Sequence, residues 1–281
     1  MNDALEIAEI SQEQLAGKRG FDPAFLGVMV PLPQLPAALQ ADAAPLVDGS
    51  GSELKYSHFS VVMSKARRLA YFTAVNIDGA SLQQPLRKRD VWYFDPRLDR
   101  KYQTGPGLYA DNELDRGHLV RRLDPVWGVE ALEAQEDTFH FTNCAPQHQK
   151  LNRDTWLGLE DYILGNSAVD DLKVTVFTGP VFREDDMVYR KKYRIPSEFW
   201  KVVVVVRSDG QLSATAYLLT QRDLISGLEL FGPYKTYQIA VSQIEALTGL
   251  SLGELSAHDP TVSSLEAMSL REINGAADIV L

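Results

Sequence analysis

The chain has 281 residues, 45% of them hydrophobic and 23% charged, an ordinary globular composition with ample length for a buried core in one large domain. A single cysteine, Cys144, excludes an internal disulfide and a cysteine-based zinc site. The formal net charge of -10 excludes a uniformly basic surface, and no stretch approaches the ~20 apolar residues of a membrane helix, the longest being Val202 to Val206.

Residues 1–54 read as an acidic N-terminal arm, packed on or appended to the core. Its first seventeen residues carry Leu5, Ile7, Ile10 and Leu15 at spacings that predict an amphipathic helix. That start has no long apolar run and is not a secretory signal, so the chain is expected to stay in the cytoplasm. Phe21 and Phe25 demand burial, so the arm is expected to wrap on the core or to dock a partner. Pro31, Pro33, Pro36 and Pro45 make residues 31–52 an extended segment and loop.

Residues 55–250 form the main domain. Phe59–Met63 and Tyr71–Ile77 predict a hairpin across the basic turn Ser64–Arg68, and Val91–Phe94 predicts a third strand closed by Asp95-Pro96. Residues 102–112 are a loop leading to Asp115. Residues 128–137 are helix-prone, and Thr138–Asn143 reads as a strand that Pro146 ends. A helix is expected from near His148 to about Leu164. Lys173–Thr178, Lys201–Arg207 and Ser213–Leu219 are strands, the last two joined through an Asp209-Gly210 turn. Residues 235–247 predict a helix on Ile239, Val241, Ile244 and Leu247. Residues 251–281 are an acidic tail with a helix-like piece around 263–273. The sum is one α+β domain with an antiparallel sheet and appended ends.

Three runs in the middle carry chemistry: Asp115-Arg116-Gly117-His118, Asn143-x-x-Pro146-Gln147 and Leu151-Asn152-x-x-x-Trp156-x-x-Leu159-Glu160. Hydrolysis of a phosphodiester needs a base for water, a cation to carry charge on the phosphate and leaving oxygen, and fixed positive donors. An imidazole titrates in the right range, so His118 suits the base. Asn152 offers a neutral oxygen to a hard cation that keeps most of its waters. Arg116 can hold a phosphate with two parallel bonds. On the predicted helix Asn152, Trp156, Glu160 and Ile163 fall at i, i+4, i+8 and i+11, which sends Asn152 and Glu160 towards one side.

In order and spacing these runs resemble the DNA/RNA non-specific endonuclease family, which includes secreted bacterial nucleases and mitochondrial endonuclease G. Phe177–Phe182 and Ile195–Lys201 extend the resemblance, which covers the chain from near Tyr56 to Leu250. It implies a ββα-metal (His-Me finger) fold with a central antiparallel sheet flanked by helices. It implies a metal-dependent, sequence-non-specific endonuclease acting on DNA and/or RNA to leave 5′-phosphate ends. His118 is then the general base, Asn152 the direct ligand of Mg²⁺ or Mn²⁺, and Glu160 a group that reaches the cation through water. Arg89 is the family's phosphate-binding arginine, with Arg87 and Lys88 competing for that place. Asn143 is expected to position the phosphate or the loops of the site, and Arg121 and Arg122 to bind substrate beside Arg116. Family members are often dimers, so a homodimer is a further expectation.

Charge is unevenly placed. Residues 1–54 hold 2 basic and 8 acidic residues, residues 245–281 hold 1 and 6, and residues 190–201 hold 5 and 1. Basic character therefore sits around the motifs and on one later segment, which predicts modest, salt-sensitive binding of nucleic acid. The acidic ends suit solubility. They also fit restraint of a nuclease by self-occlusion or by a regulatory partner. A competing reading keeps the fold without the activity, as a nucleic-acid or protein binding module; intact His118 and Asn152 speak against it. A serine hydrolase would need a Gly-x-Ser-x-Gly elbow, which is missing. Cys144 reads as a small buried apolar residue, with sensitivity to thiol reagents left open.

Overall fold

Runs of β-branched and aromatic residues build the centre of the molecule. The computed structural model describes residues 6–86, 90–149, 172–222, 235–263 and 271–273. Its strands begin with β1 (Glu6–Ala8), β2 (Glu53–Lys55), β3 (Phe59–Met63), β4 (Ala70–Asp78), β5 (Val91–Tyr93), β6 (Leu114–His118) and β7 (Cys144–His148). They continue with β8 (Lys173–Val181), β9 (Met187–Tyr189), β10 (Tyr193–Ile195), β11 (Glu198–Val206), β12 (Leu212–Thr220), β13 (Lys235–Ile239) and β14 (Arg271–Ile273). Eight of them make one antiparallel sheet in the order β14-β13-β12-β11-β8-β4-β3-β2. The fold class is the expected one, although the described helices are few and short: α1 (Ala37–Gln40), α2 (Pro106–Tyr109), α3 (Ala131–Asp137) and α4 (Val241–Thr248). No helix among the described residues is long and apolar enough to cross a membrane.

The side-chain period of two divides the sheet into two faces. Val174, Val176, Phe199 and Val203 turn to one face, where Tyr56, Phe59, Leu119 and Ala145 cover them. Phe177, Val181, Trp200, Val202 and Val204 turn to the other, beneath Phe21, Val30, Ile244 and Leu250. Each large side chain so buried contributes about 1.5–3 kcal/mol. Phe21 approaches Phe177 at 5.6 Å between ring centroids, and Phe25 lies 5.5 Å from Trp127, so the arm wraps on the core. Its anchor is Lys18, buried, with Nζ 2.6 Å from Glu133 and 2.7 Å from Asp137 of α3. The same Asp137 carboxylate accepts the Ser57 N–H at 2.9 Å.

Several local expectations are overturned. Glu6–Ala8 is a strand pairing in parallel with β5, and Glu13–Leu15 a 3-10 turn; pairing outranks helical spacing in so short a segment. The third strand, β5, accordingly pairs with β1 instead of joining the sheet. Phe141–Asn143 is a 3-10 turn, and the strand starts after it, with Pro146 inside β7. A two-stranded ribbon leaves each strand an open edge, where a missing N–H costs no ladder bond. Lys235–Ile239 is a strand, and the helix begins only at Val241, whose N–H bonds Asp259 at 2.7 Å. Within the 263–273 piece, Arg271–Ile273 extends the sheet as a strand.

Candidate active site

Strands β6 and β7 form a separate antiparallel ribbon against the first face of the sheet. Its register sets His118 opposite Cys144, Arg116 opposite Pro146 and Asp115 opposite Gln147. Residues two apart share a face, so Arg116 and His118 project together. Trp92 braces both: its ring lies 5.2 Å from the His118 ring, and the Arg116 guanidinium stands 5.0 Å over it. Phe139 meets His118 edge-on at 5.1 Å. The imidazole is therefore held in an aromatic wall and is only half-buried. Among the described residues no carboxylate bridges Arg116.

Gly117 between them is a matter of space. A Cβ there would stand 2.0 Å from Gln147 Oε1, so the side chain of Gln147 occupies the room that any other residue would need. Gln147 is fully buried, and among the described residues neither of its amide atoms has a hydrogen-bond partner. Leaving a buried polar group unmade costs roughly 1–3 kcal/mol, so this amide is placed for a water or a ligand. In the sequence Gln147 is a member of the Asn143-x-x-Pro146-Gln147 run without an assigned role, and Gly117, which leaves room for it, is the signal that marks its place.

Asn143 is also fully buried, but its amide is spent on the backbone. Nδ2 donates to the carbonyls of Val120 and Thr138 at 2.9 and 3.0 Å, and Oδ1 accepts the Val120 N–H at 2.9 Å. Its own carbonyl accepts the Leu119 N–H at 2.9 Å. Asn143 thus fixes the chain leaving His118, where Arg121 and Arg122 begin the next turn, both partly buried. Asp95 is a structural node: Tyr56 donates to it at 2.6 Å and Arg97 at 2.7 Å. Burial works to raise its pKa, but the bonds and charge of Arg97, the nearby His140 and the Tyr56 hydroxyl together outweigh that and hold the carboxyl below its ordinary value. Burial pushes the Cys144 thiol up to about 12. Asn152, Glu160 and Arg89, with Arg87, Lys88 and Trp156, lie outside the described residues.

Among the described residues no three His, Cys, Asp or Glu side chains gather to hold a metal ion. A hard, hydrated cation does not require such a set, because it takes few protein ligands. The open amide of Gln147, opposite Asp115 in the ribbon and five residues before Asn152 in the sequence, fits such a cation or its water shell.

The sheet and ribbon define an α+β fold of the ββα-metal nuclease class. It superposes on EndoG in the crystal structure of the EndoG/EndoGI complex with a TM-score of 0.56 and 21% identity, over 71% of this chain and 84% of that one. The model of the DNA/RNA non-specific endonuclease family matches residues 43–258, and the chain belongs to that family. Its members are nucleases, enzymes that hydrolyse phosphodiesters and generally depend on a divalent metal. The chain is 40% identical over 257 residues to the uncharacterized protein y4fB of Sinorhizobium fredii, covering 83% of this chain but only 39% of that relative's length. It is 25% identical over 252 residues to mitochondrial endonuclease G of Bos taurus, covering 80% of this chain and 82% of that one.

Proposed function

We propose that this chain is a metal-dependent endonuclease that hydrolyses DNA, RNA or both to 5′-phosphate products without reading base sequence. The observation that carries this reading is the pairing of His118 with Arg116 on one face of β6, both braced by Trp92. His118 takes the proton of the attacking water. Arg116, held against the Trp92 ring and unpaired with any described carboxylate, binds the phosphate. Gln147 donates and accepts from its buried position beside Gly117. Asn143 acts as a positioning residue through the backbone of Leu119 and Val120, while Arg89, Arg121 and Arg122 are assigned to the phosphates on either side. Asn152 would hold Mg²⁺ or Mn²⁺ directly and Glu160 through water. A cation so held supplies positive charge to the phosphate and to the departing 3′ oxygen. Contacts to phosphate rather than base edges account for weak sequence preference. Assembly as a homodimer and control by a partner at the acidic ends belong to the same proposal.

The test is cleavage of supercoiled plasmid and of RNA at low salt by wild type and His118→Ala, with Mg²⁺, Mn²⁺ or EDTA. Metal-dependent cleavage is expected, reduced about 10²–10⁴-fold in the variant. A folded wild type that cuts neither substrate, or a variant that cuts undiminished, overturns the proposal.

A further inference from the structure

Several arginines of the described residues are neutralised by a carboxylate. Arg67 meets Asp186 at 2.8 Å, Arg97 meets Asp95 at 2.7 Å, Arg207 meets Asp209 at 2.8 Å and Arg222 meets Asp185 at 2.9 Å. Arg68, Arg100, Arg190 and Arg194 differ. Arg68 donates to the Lys192 carbonyl at 2.7 Å, and Arg194 to the Glu184 carbonyl at 2.7 Å. Arg190 donates to the carbonyls of Gly107 and Ala110 at 2.7 and 2.6 Å. Arg100 bonds the Gln103 carbonyl at 3.4 Å and stands over the Phe94 ring. Carbonyls and rings orient a guanidinium without cancelling its charge.

Arg68, Arg190 and Arg194 meet on one hairpin, β9–β10, and Arg100 stands close enough to interact electrostatically with its Tyr193. Arg68 and Lys192 both lie over the Tyr193 ring, at 4.9 and 5.1 Å. Lys191 and Lys192 are exposed at the turn. Arg190 and Lys191 both take positive φ there, 49° and 54°. Asn or Gly would fit such a turn more cheaply, so the sequence keeps charge where conformation argues against it. The hairpin is also bonded to the approach to the active site. Arg190 grips the loop at Gly107 and Ala110, and Asn112 donates to the Tyr189 hydroxyl at 3.1 Å while accepting the N–H of Leu114, the first residue of β6, at 2.8 Å.

We propose that the β9–β10 hairpin, with Arg68 and Arg100, is a binding surface for the sugar-phosphate backbone of a polynucleotide, beyond the nucleotides at the scissile bond. The proposal rests on the nuclease reading of the site. The chain as a whole carries -10, so a polyanion is repelled by most of the surface and is steered to this band. Long substrates then gain affinity that a small phosphodiester cannot, and that affinity falls with salt.

Two variants test it: Lys191→Asn/Lys192→Gln, which removes charge and suits the turn, and Lys191→Glu/Lys192→Glu, which reverses it. Binding of a fluorescent 20-base-pair DNA in EDTA is titrated at several NaCl concentrations. Cleavage of the same DNA and of bis(p-nitrophenyl) phosphate is measured with Mg²⁺. The neutral variant is expected to weaken binding about tenfold and to reduce the slope of log K against log salt by about 2, and the reversed variant to weaken it further. The loss in kcat/KM should be at least tenfold larger on DNA than on the small diester. Wild-type affinity and salt slope in both variants, or a wild type that does not bind the DNA, overturns the surface. A wild type that binds but cleaves neither substrate sinks the nuclease reading and leaves the binding result to decide the surface.

Discussion

On one face of the sheet Trp200, Phe177 and Val202 lie under Phe21, Ile244 and Leu250, joined by area alone. On the other, Tyr56, Asp95, Thr142 and Asn143 are equally buried but are joined by directed bonds, with Tyr56 Oη 2.6 Å from Asp95 and 2.7 Å from Thr142. The first face tolerates small shifts, because dispersion and hydrophobic burial have no preferred direction. The second does not, because each bond fixes an angle. The ribbon that carries His118 rests on the second face. Stability and geometry are thus supplied from opposite sides of one sheet.

The comparison can be broken by paired substitutions. Trp200→Ala should cost about 3–5 kcal/mol in urea unfolding while leaving the cleavage rate per folded molecule unchanged. Asn143→Ala should cost about 3 kcal/mol, since it strands the Val120 N–H and two carbonyls, and should also lower cleavage. Equal effects of both on the cleavage rate would erase the distinction between the faces. Gly117→Ala is expected to cost about 1–3 kcal/mol by forcing Gln147 aside. Combining it with Gln147→Ala should recover part of that loss, and strict additivity would show that the contact is not the cause.

Acid sharpens the comparison further, because the buried His140 lies on the bonded side, its ring 4.9 Å from that of Tyr56. Burial holds the His140 imidazole below its ordinary value, against the pull of Asp95 and Asp137. His58 is shifted the same way by burial. The folded state therefore takes up these protons later than the unfolded chain does. The stability involved is whole above the unfolded value, about 6.5, and is lost as pH falls through the lower folded values. The midpoint of thermal unfolding should drop between pH 7 and pH 5, with a smaller drop in His140→Gln; a flat profile in wild type would refute this. The smallest effect expected is at Cys144. With its thiol buried and pushed up to about 12, native protein at pH 8 should resist iodoacetamide for hours and react only when unfolded.

The family and the fold class were more legible in the sequence than the local elements. The Asp115-Arg116-Gly117-His118 run that carries the resemblance lies on a single strand, β6. The apolar positions Ile239, Val241 and Ile244 satisfy a helical period, yet Ile239 pairs with Ala216 in the sheet. Only the tertiary partner distinguishes the two outcomes. Pro146 reads as a stop, and nothing local reveals that its strand has an open edge. The spent amide of Asn143 and the open amide of Gln147 look alike in sequence, because their difference lies in which backbone groups surround them. The corrected strand at Glu6–Ala8 has the same origin, since its partner is more than eighty residues away.

The match to the family begins at residue 43, but the fold does not. Lys18 neutralises Asp137, and Asp137 in turn receives the N–H of Ser57 at the mouth of β3. A chain trimmed to the matched region would leave that carboxylate buried without its cation and would empty the sockets of Leu15 and Phe21. Similarity and foldability thus draw different borders on the same molecule. Whoever shortens this chain to isolate its chemistry would remove one of the posts on which that chemistry stands.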